Sequence, residues 1–305
     1  MSLFAILLWK LLPLYGVIGL GYVSGRILNV QKESIAILLL YVLSPIIVFH
    51  GAFTTELNLG IAILPLFFLV SAYLFCILAY AVGSKVWNDS TRNIFAYTAA
   101  TGNTGYFGIP VAMALLGPDV LGQVVLATMG LVLYESTLGF YITAKGTYSP
   151  RESLRRLLGL PSLYALLLGL LMNAGSVHLP ESYFTLAENF RGAYSILGMM
   201  IIGLGVSGLK TLRCDWKFIG LSFTAKFVAW PLYTLLFITL DTNFLHVLTP
   251  AMHSILILLS VTPMAANTVV LATALNVKPE KAACGVLATT LFALFYIPLV
   301  LSFLA

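Results

Sequence analysis

The strongest constraint on this chain is the near-unbroken succession of apolar segments long enough to cross a bilayer. A helical span needs about 20 apolar residues. Stretches of that length recur at roughly 4–25, 33–53, 59–84, 93–117, 120–144, 161–178, 191–209, 217–240, 248–276 and 280–304. Only 9% of the 305 residues are charged and 60% are hydrophobic, against about 25% charged in a soluble domain. Such a chain cannot cover a water-facing surface. The pattern predicts an all-α polytopic membrane protein of ten transmembrane helices, because in lipid each backbone polar group must be bonded within the protein. The first apolar segment lacks a small-residue cleavage site and reads as a retained span rather than a signal peptide. The cysteines, Cys76, Cys214 and Cys284, are scattered and odd in number, which suggests neither disulfides nor a metal site. No cofactor is implied.

Loop charge sets the direction of the spans. Thirteen of the sixteen Lys and Arg residues fall in alternate loops: Arg26 and Lys32; Lys85 and Arg92; Lys145, Arg151, Arg155 and Arg156; Lys210, Arg213 and Lys217; Lys278 and Lys281. The opposite loops carry Glu56, Asp119, His178, Glu181, Asp241 and His246. The positive-inside rule then places both termini on the extracytoplasmic side of the plasma membrane, the inner membrane in a bacterium. The net charge of +5 is thereby assigned to topology, and no nucleic-acid partner is implied. The longest joining segment, "KGTYSPRESLRRLLGLP", separates five spans from five. It divides the chain into a first repeat 1–144, a cytoplasmic linker 145–160 and a second repeat 161–305. An odd number of spans per half turns the second half upside down, which is the inverted-repeat plan of secondary transporters.

Two spans contain residues that a lipid-facing helix has no use for. The fourth carries "TGNTGYFGIP" around Pro110, and the ninth carries "SVTPMAANTVVLATALN" around Pro263. Proline lacks an N–H and clashes with the preceding turn, so it ends one half-helix and suits the first turn of the next. Irregular backbone at membrane depth survives only when buried in protein or lining a wet cavity. Interrupted helices in matching positions of two halves are the best sequence pointer to a transporter's binding site. The breaks are expected to leave free N–H groups after Pro110 and Pro263, positive dipole ends suited to an anion. Asn103, Thr104, Gly105, Thr262, Asn267 and Thr268 are the neighbours best placed to add contacts.

At these motifs the chain resembles the auxin efflux carrier family, which holds plant PIN carriers and bacterial organic-acid permeases. The resemblance runs the whole length, through "LGYVSGRIL", "YVLSPIIVFHGAF", "GNTGYFGIPVAMALLG", "LPSLYALLLGLLMNAGSVHLP" and "TPMAANTVVLATAL". It implies an inverted five-plus-five repeat with crossed broken helices 4 and 9, as in bile acid symporters and NhaA-type folds. It also implies a scaffold of helices 1, 2, 6 and 7 beside a transport domain of helices 3–5 and 8–10. The motion would be elevator-like, and the substrate a mono- or dicarboxylate, auxin-like or malate-like. Pro110 and Pro263 would be the crossover prolines, with Asn103 and Asn267 as polar contacts nearby. The long cytoplasmic loop of plant PIN carriers is absent, which points away from auxin itself.

Two charges remain inside spans, Glu135 in the fifth and Lys226 in the eighth. Intramembrane charges are costly and mark functional or paired sites. At similar depth, these two are expected to pair, either relaying a proton through Glu135 or holding helices together. The coupling ion is H+ or Na+, and no carboxylate-rich cluster near the crossing argues for sodium. Arg191 reads as an interfacial residue paired with Glu188, and Lys10 as interfacial. An enzyme reading fails. "GVSG" at 205–208 matches a rhomboid-like pattern, but all four histidines fall on the opposite side of the membrane from Ser207, and that chemistry needs them in contact. An anion channel and a non-transporting receptor remain as alternatives, and a homodimer is left open.

Overall fold

In a computed structural model, described at residues 3–54, 62–117, 120–208 and 215–304, the chain is a series of helices joined by short loops and breaks. Glu56, Asp119, Lys210, Arg213 and Cys214 lie outside the described residues, as do the side chains of Lys10 and Pro110. The helices are α1 (Leu3–Ile27), α2 (Lys32–Thr54), α3 (Ile63–Val86), α4 (Thr91–Ala100), α5 (Ile109–Leu116), α6 (Gly122–Ala144) and α7 (Pro150–Leu158). They continue with α8 (Pro161–Ala174), α9 (Glu181–Ser207), α10 (Trp216–Leu245), α11 (Pro250–Ser260), α12 (Asn267–Ala274) and α13 (Pro279–Leu304). Among the described residues six helices, α2, α3, α6, α9, α10 and α13, are long and apolar enough to cross a membrane. The pair α7–α8, bent by 45°, makes a seventh candidate. Large apolar side chains such as Leu20, Val70, Ile77, Leu171 and Leu232 face outward, where lipid rather than water meets them.

Helix starts follow local chemistry. Ser149, Asp215 and Thr249 each accept backbone N–H groups from the first turn they precede, and Pro150 and Pro250 follow two of these caps. At the far end of α10, buried Asp241 accepts the N–H groups of Val247 and Leu248 and meets His253 Nε2 at 3.0 Å. That contact fixes the turn into α11.

Packing follows small residues, as is usual where lipid supplies no hydrophobic drive. α1 runs along α9, α2 along α8, α3 along α4 and α6, and α12 along α13. A Cβ added at Gly203 of α9 would run into the Ile18 carbonyl of α1, and one at Gly130 of α6 into the Pro65 carbonyl of α3. Overpacking usually costs about 1–3 kcal/mol, and backbone cannot move aside as a side chain can. Gly203→Val is therefore expected to abolish the monodisperse peak in size-exclusion chromatography, whereas Gly192→Ala, with open space at its Cβ, is expected to leave it unchanged.

The interrupted segments are α4–α5 and α11–α12. The second breaks over 261–266, around Pro263, where the sequence places it. The first departs from expectation: it breaks at 101–103, and Pro110 lies well inside the following half-helix. A π-helical turn at Thr104–Gly108 explains this. The N–H groups of Phe107 and Gly108 share the Asn103 carbonyl at 3.2 and 3.1 Å. This wider turn, with its i→i+5 bonds, carries the chain directly into α5, so that Pro110 falls within a continuous half-helix that begins at Thr104. The segment expected as a plain linker also folds. α7 is strongly amphipathic, with Arg156 ion-paired to Glu152 at 3.2 Å and lying 3.8 Å over the Tyr148 ring.

Candidate functional site

The two breaks meet. Asn103 N–H donates to the Pro263 carbonyl at 2.8 Å, and Gly102 pairs with Met264 in an antiparallel bridge. Backbone left without helical partners in one break is thus partly satisfied by the other, as buried irregular chain requires. Gly102 permits the approach: a side chain there would collide with Thr262 Oγ1.

Beside this crossing lies a cavity of about 500 Å³. Its walls are mostly aliphatic, among them Leu40, Val48, Val125, Met129 and Val270, and its polar lining includes Asn103, Thr104, Glu135, Tyr194 and Asn267. The second half-helices begin here. α12 starts at Asn267, and the π turn leading into α5 starts at Thr104. Their N-termini present positive dipole ends, although the N–H groups of Thr104, Thr268 and Val269 are already taken by the Gly102, Ala265 and Ala266 carbonyls. These ends fall at Asn103–Thr104 and Asn267, not after Pro110 as the sequence suggested.

Glu135 occupies the floor. Its Oε1 accepts from Thr101 Oγ1 at 2.6 Å and its Oε2 from Asn267 Nδ2 at 2.7 Å, with the Tyr97 ring beside it. The Asn267 Oδ1 accepts in turn from the Tyr194 hydroxyl at 3.2 Å. One carboxylate therefore ties α6 to both broken helices, and through Asn267 to α9. A π turn beginning at Glu135 positions the group. The Asn103 side chain has only a weak contact, Nδ2 to Met199 Sδ at 3.9 Å, so its amide is free to engage a ligand.

The expected Glu135–Lys226 pair is not formed. Lys226 is buried on the other side of the break residues, with its ammonium 5.0 Å over the Trp230 ring. Thr262 and Thr268 are buried away from the cavity, bonded to the Leu259 carbonyl and to Thr98 Oγ1. The cavity brings together Asn103, Thr104, Gly105, Glu135 and Asn267, and leaves Thr262, Pro263 and Thr268 behind the crossing. Thr101, Tyr97 and Tyr194 join the site although sequence reasoning did not name them. Thr101 opens the very motif that drew attention, while Tyr194 stands one turn after Arg191.

The cavity reaches Thr54 and Glu188, both exposed, at the ends of α2 and α9. Arg191 and Glu188 pair there at 3.1 Å, as the sequence suggests, and His50 meets the Tyr183 hydroxyl at 3.2 Å. Away from this mouth, ion pairs join the starts of α4, α10 and α13. Lys281 binds Asp215 at 2.7 Å and Thr91 Oγ1 at 2.9 Å, and Lys278 binds Asp89 at 2.8 Å. Burial pushes the Asp89 and Asp215 carboxyls up, but Lys278 and Thr91 for the first, and Lys281 and the Phe218 N–H for the second, hold both below the usual carboxylate range. A depressed acid contributes stability above its unfolded-state value of about 4, and loses it as pH falls through the lower folded value. The melting temperature is expected to stay flat from about pH 8 to 5 and to fall below about pH 4. Lys281→Met should blunt that fall. A melting curve as acid-sensitive as wild type would assign the loss to other groups.

A comparison with curated proteins gave no match. The family model described as membrane transport protein, which covers the auxin efflux carrier and PIN-like proteins, matches residues 6–301. The chain is an integral membrane protein and belongs to this family of membrane transporters.

Proposed function

We propose that the protein is a secondary carrier of a small organic anion in the plasma membrane, working by alternating access. The observation that carries this reading is the crossing of two interrupted helices beside a cavity of about 500 Å³, with the N-termini of two half-helices facing into it. Those ends attract an anionic headgroup, and the aliphatic walls accept its carbon skeleton. Among the described residues Arg191 is the only Lys or Arg lining the cavity, and it is engaged by Glu188. A single carboxylate therefore fits better than two. Transport is coupled to protons, with Glu135 as the carrier group, a reading supported by its bonds to both broken helices, through Thr101 and Asn267.

The six long helices, the bent pair, α1 and the two interrupted segments add up to ten candidate spans, a number that supports the reading of an inverted five-plus-five repeat. With both termini extracytoplasmic, the ends of α2 and α9 lie outside, and the cavity opens outward. The packing of α1 on α9 and α2 on α8, against that of α3 on α4 and α6, supports a fixed scaffold and a moving body, as an elevator requires.

Counterflow in proteoliposomes tests the reading. Vesicles preloaded with unlabelled carboxylic acid should accumulate the same labelled acid saturably. Unsaturable current would indicate a channel, and binding without flux a receptor.

A further inference from the structure

Two opposite charges approach the first break without meeting. Glu135 comes from α6 and bonds Thr101, while Lys226 comes from α10 to the next residue, Gly102. A Cβ at Gly102 would lie 3.0 Å from Lys226 Nζ and 3.5 Å from the Pro263 carbonyl oxygen. Lys226 is 2% exposed. Among the described residues no acid lies within ion-pair distance of it. An ammonium buried this deeply is costly unless something else compensates its charge.

What the place offers is the negative ends of helices. α4 stops at Ala100, so its last carbonyls have no helical donors. Two of them are bonded by side chains, the Tyr97 carbonyl by the Tyr134 hydroxyl and the Ala99 carbonyl by Trp230 Nε1. The second of these donors is the indole over which Lys226 lies. α11 likewise ends at the crossing, at Ser260. A positive charge beside helix C-termini is favoured by their dipoles. In broken-helix transporters, unwound carbonyls and half-helix C-termini are where coupling cations bind. Here that place holds a lysine.

We propose that Lys226 is a tethered cation at the crossing, so that the protein needs no sodium or other free monovalent cation to stabilise its binding site. The consequence for transport rests on the carrier reading, but the test uses no substrate. Purified wild type and Lys226→Ala are titrated with sodium chloride against choline chloride at equal ionic strength, following melting temperature and tryptophan fluorescence. Wild type should be indifferent to the exchange. Lys226→Ala should melt lower in choline and regain about 3–5 °C with sodium, saturably, with a fluorescence change that Trp230→Phe removes. Lys226→Arg should behave as wild type. Saturable stabilisation of wild type by sodium would overturn the proposal, and so would a Lys226→Ala protein as stable in choline as wild type. Should Lys226→Ala fail to purify, the same titration of Lys226→Gln decides by the same criteria. If the counterflow assay showed no carboxylic acid transport, the anion-carrier reading would fall and the cation result would stand.

Discussion

Glu135→Gln is expected to uncouple the carrier: uptake driven by a pH gradient should vanish, while substrate counterflow persists with reduced affinity. The amide cannot carry a proton across, yet it fills nearly the same volume. It cannot accept on both of its terminal atoms, so either Thr101 Oγ1 or Asn267 Nδ2 loses its acceptor. A buried donor left unpaired costs about 1–3 kcal/mol, which sets the expected loss in melting temperature. Glu135→Ala should be worse on both counts, since it orphans two donors and opens a void. Uptake by Glu135→Gln that still followed the pH gradient would assign the proton to another group.

Asn103→Ala and Asn267→Ala should differ in a way that only the structure makes plain. Asn103 makes one weak side-chain contact, so its removal costs little in stability. If its amide binds the carboxylate, affinity should drop by about ten-fold or more, the worth of a hydrogen bond to a charged group. Asn267 holds both Glu135 and Tyr194. Its alanine variant should lose substrate affinity together with thermal stability and pH coupling. Thermal-shift titration with the best acid from counterflow separates the two. Unchanged affinity in Asn103→Ala would move the headgroup away from the α4–α5 break.

The membrane class and the two interrupted segments were legible because hydropathy and helix-breaking residues act locally. The place of the first break was not. Pro110 is the loudest signal in "TGNTGYFGIP", yet the chain breaks at 101–103, and the π turn absorbs the proline downstream. Glu135 and Lys226 were recognisable as intramembrane charges, but their partners were not. Each lies in a π turn, Glu135–Gly139 and Ala225–Ala229. One extra residue turns everything beyond it by about 100° around the helix. Depth in the membrane can be counted along the sequence; azimuth cannot once such turns intervene. Thr101, Tyr97 and Tyr194 were missed for a related reason, since hydroxyls in apolar spans carry no periodicity that separates a cavity wall from a packed interior.

Helix α7 bears on how far the moving body of an elevator could travel. In an elevator α6 would ride with the moving body while α8 stays, so the chain between them has to take up the stroke. α7 is a rigid arm of nine residues, about 13 Å long, clamped at its start by the Ser149 cap and by Arg156 on Tyr148. Its joint with α8 is the 45° bend at Gly159 and Leu160. Swinging such an arm through that angle shifts its free end by about 10 Å. For a motion of that kind the connector would act as a crank, setting the length of the step without unwinding.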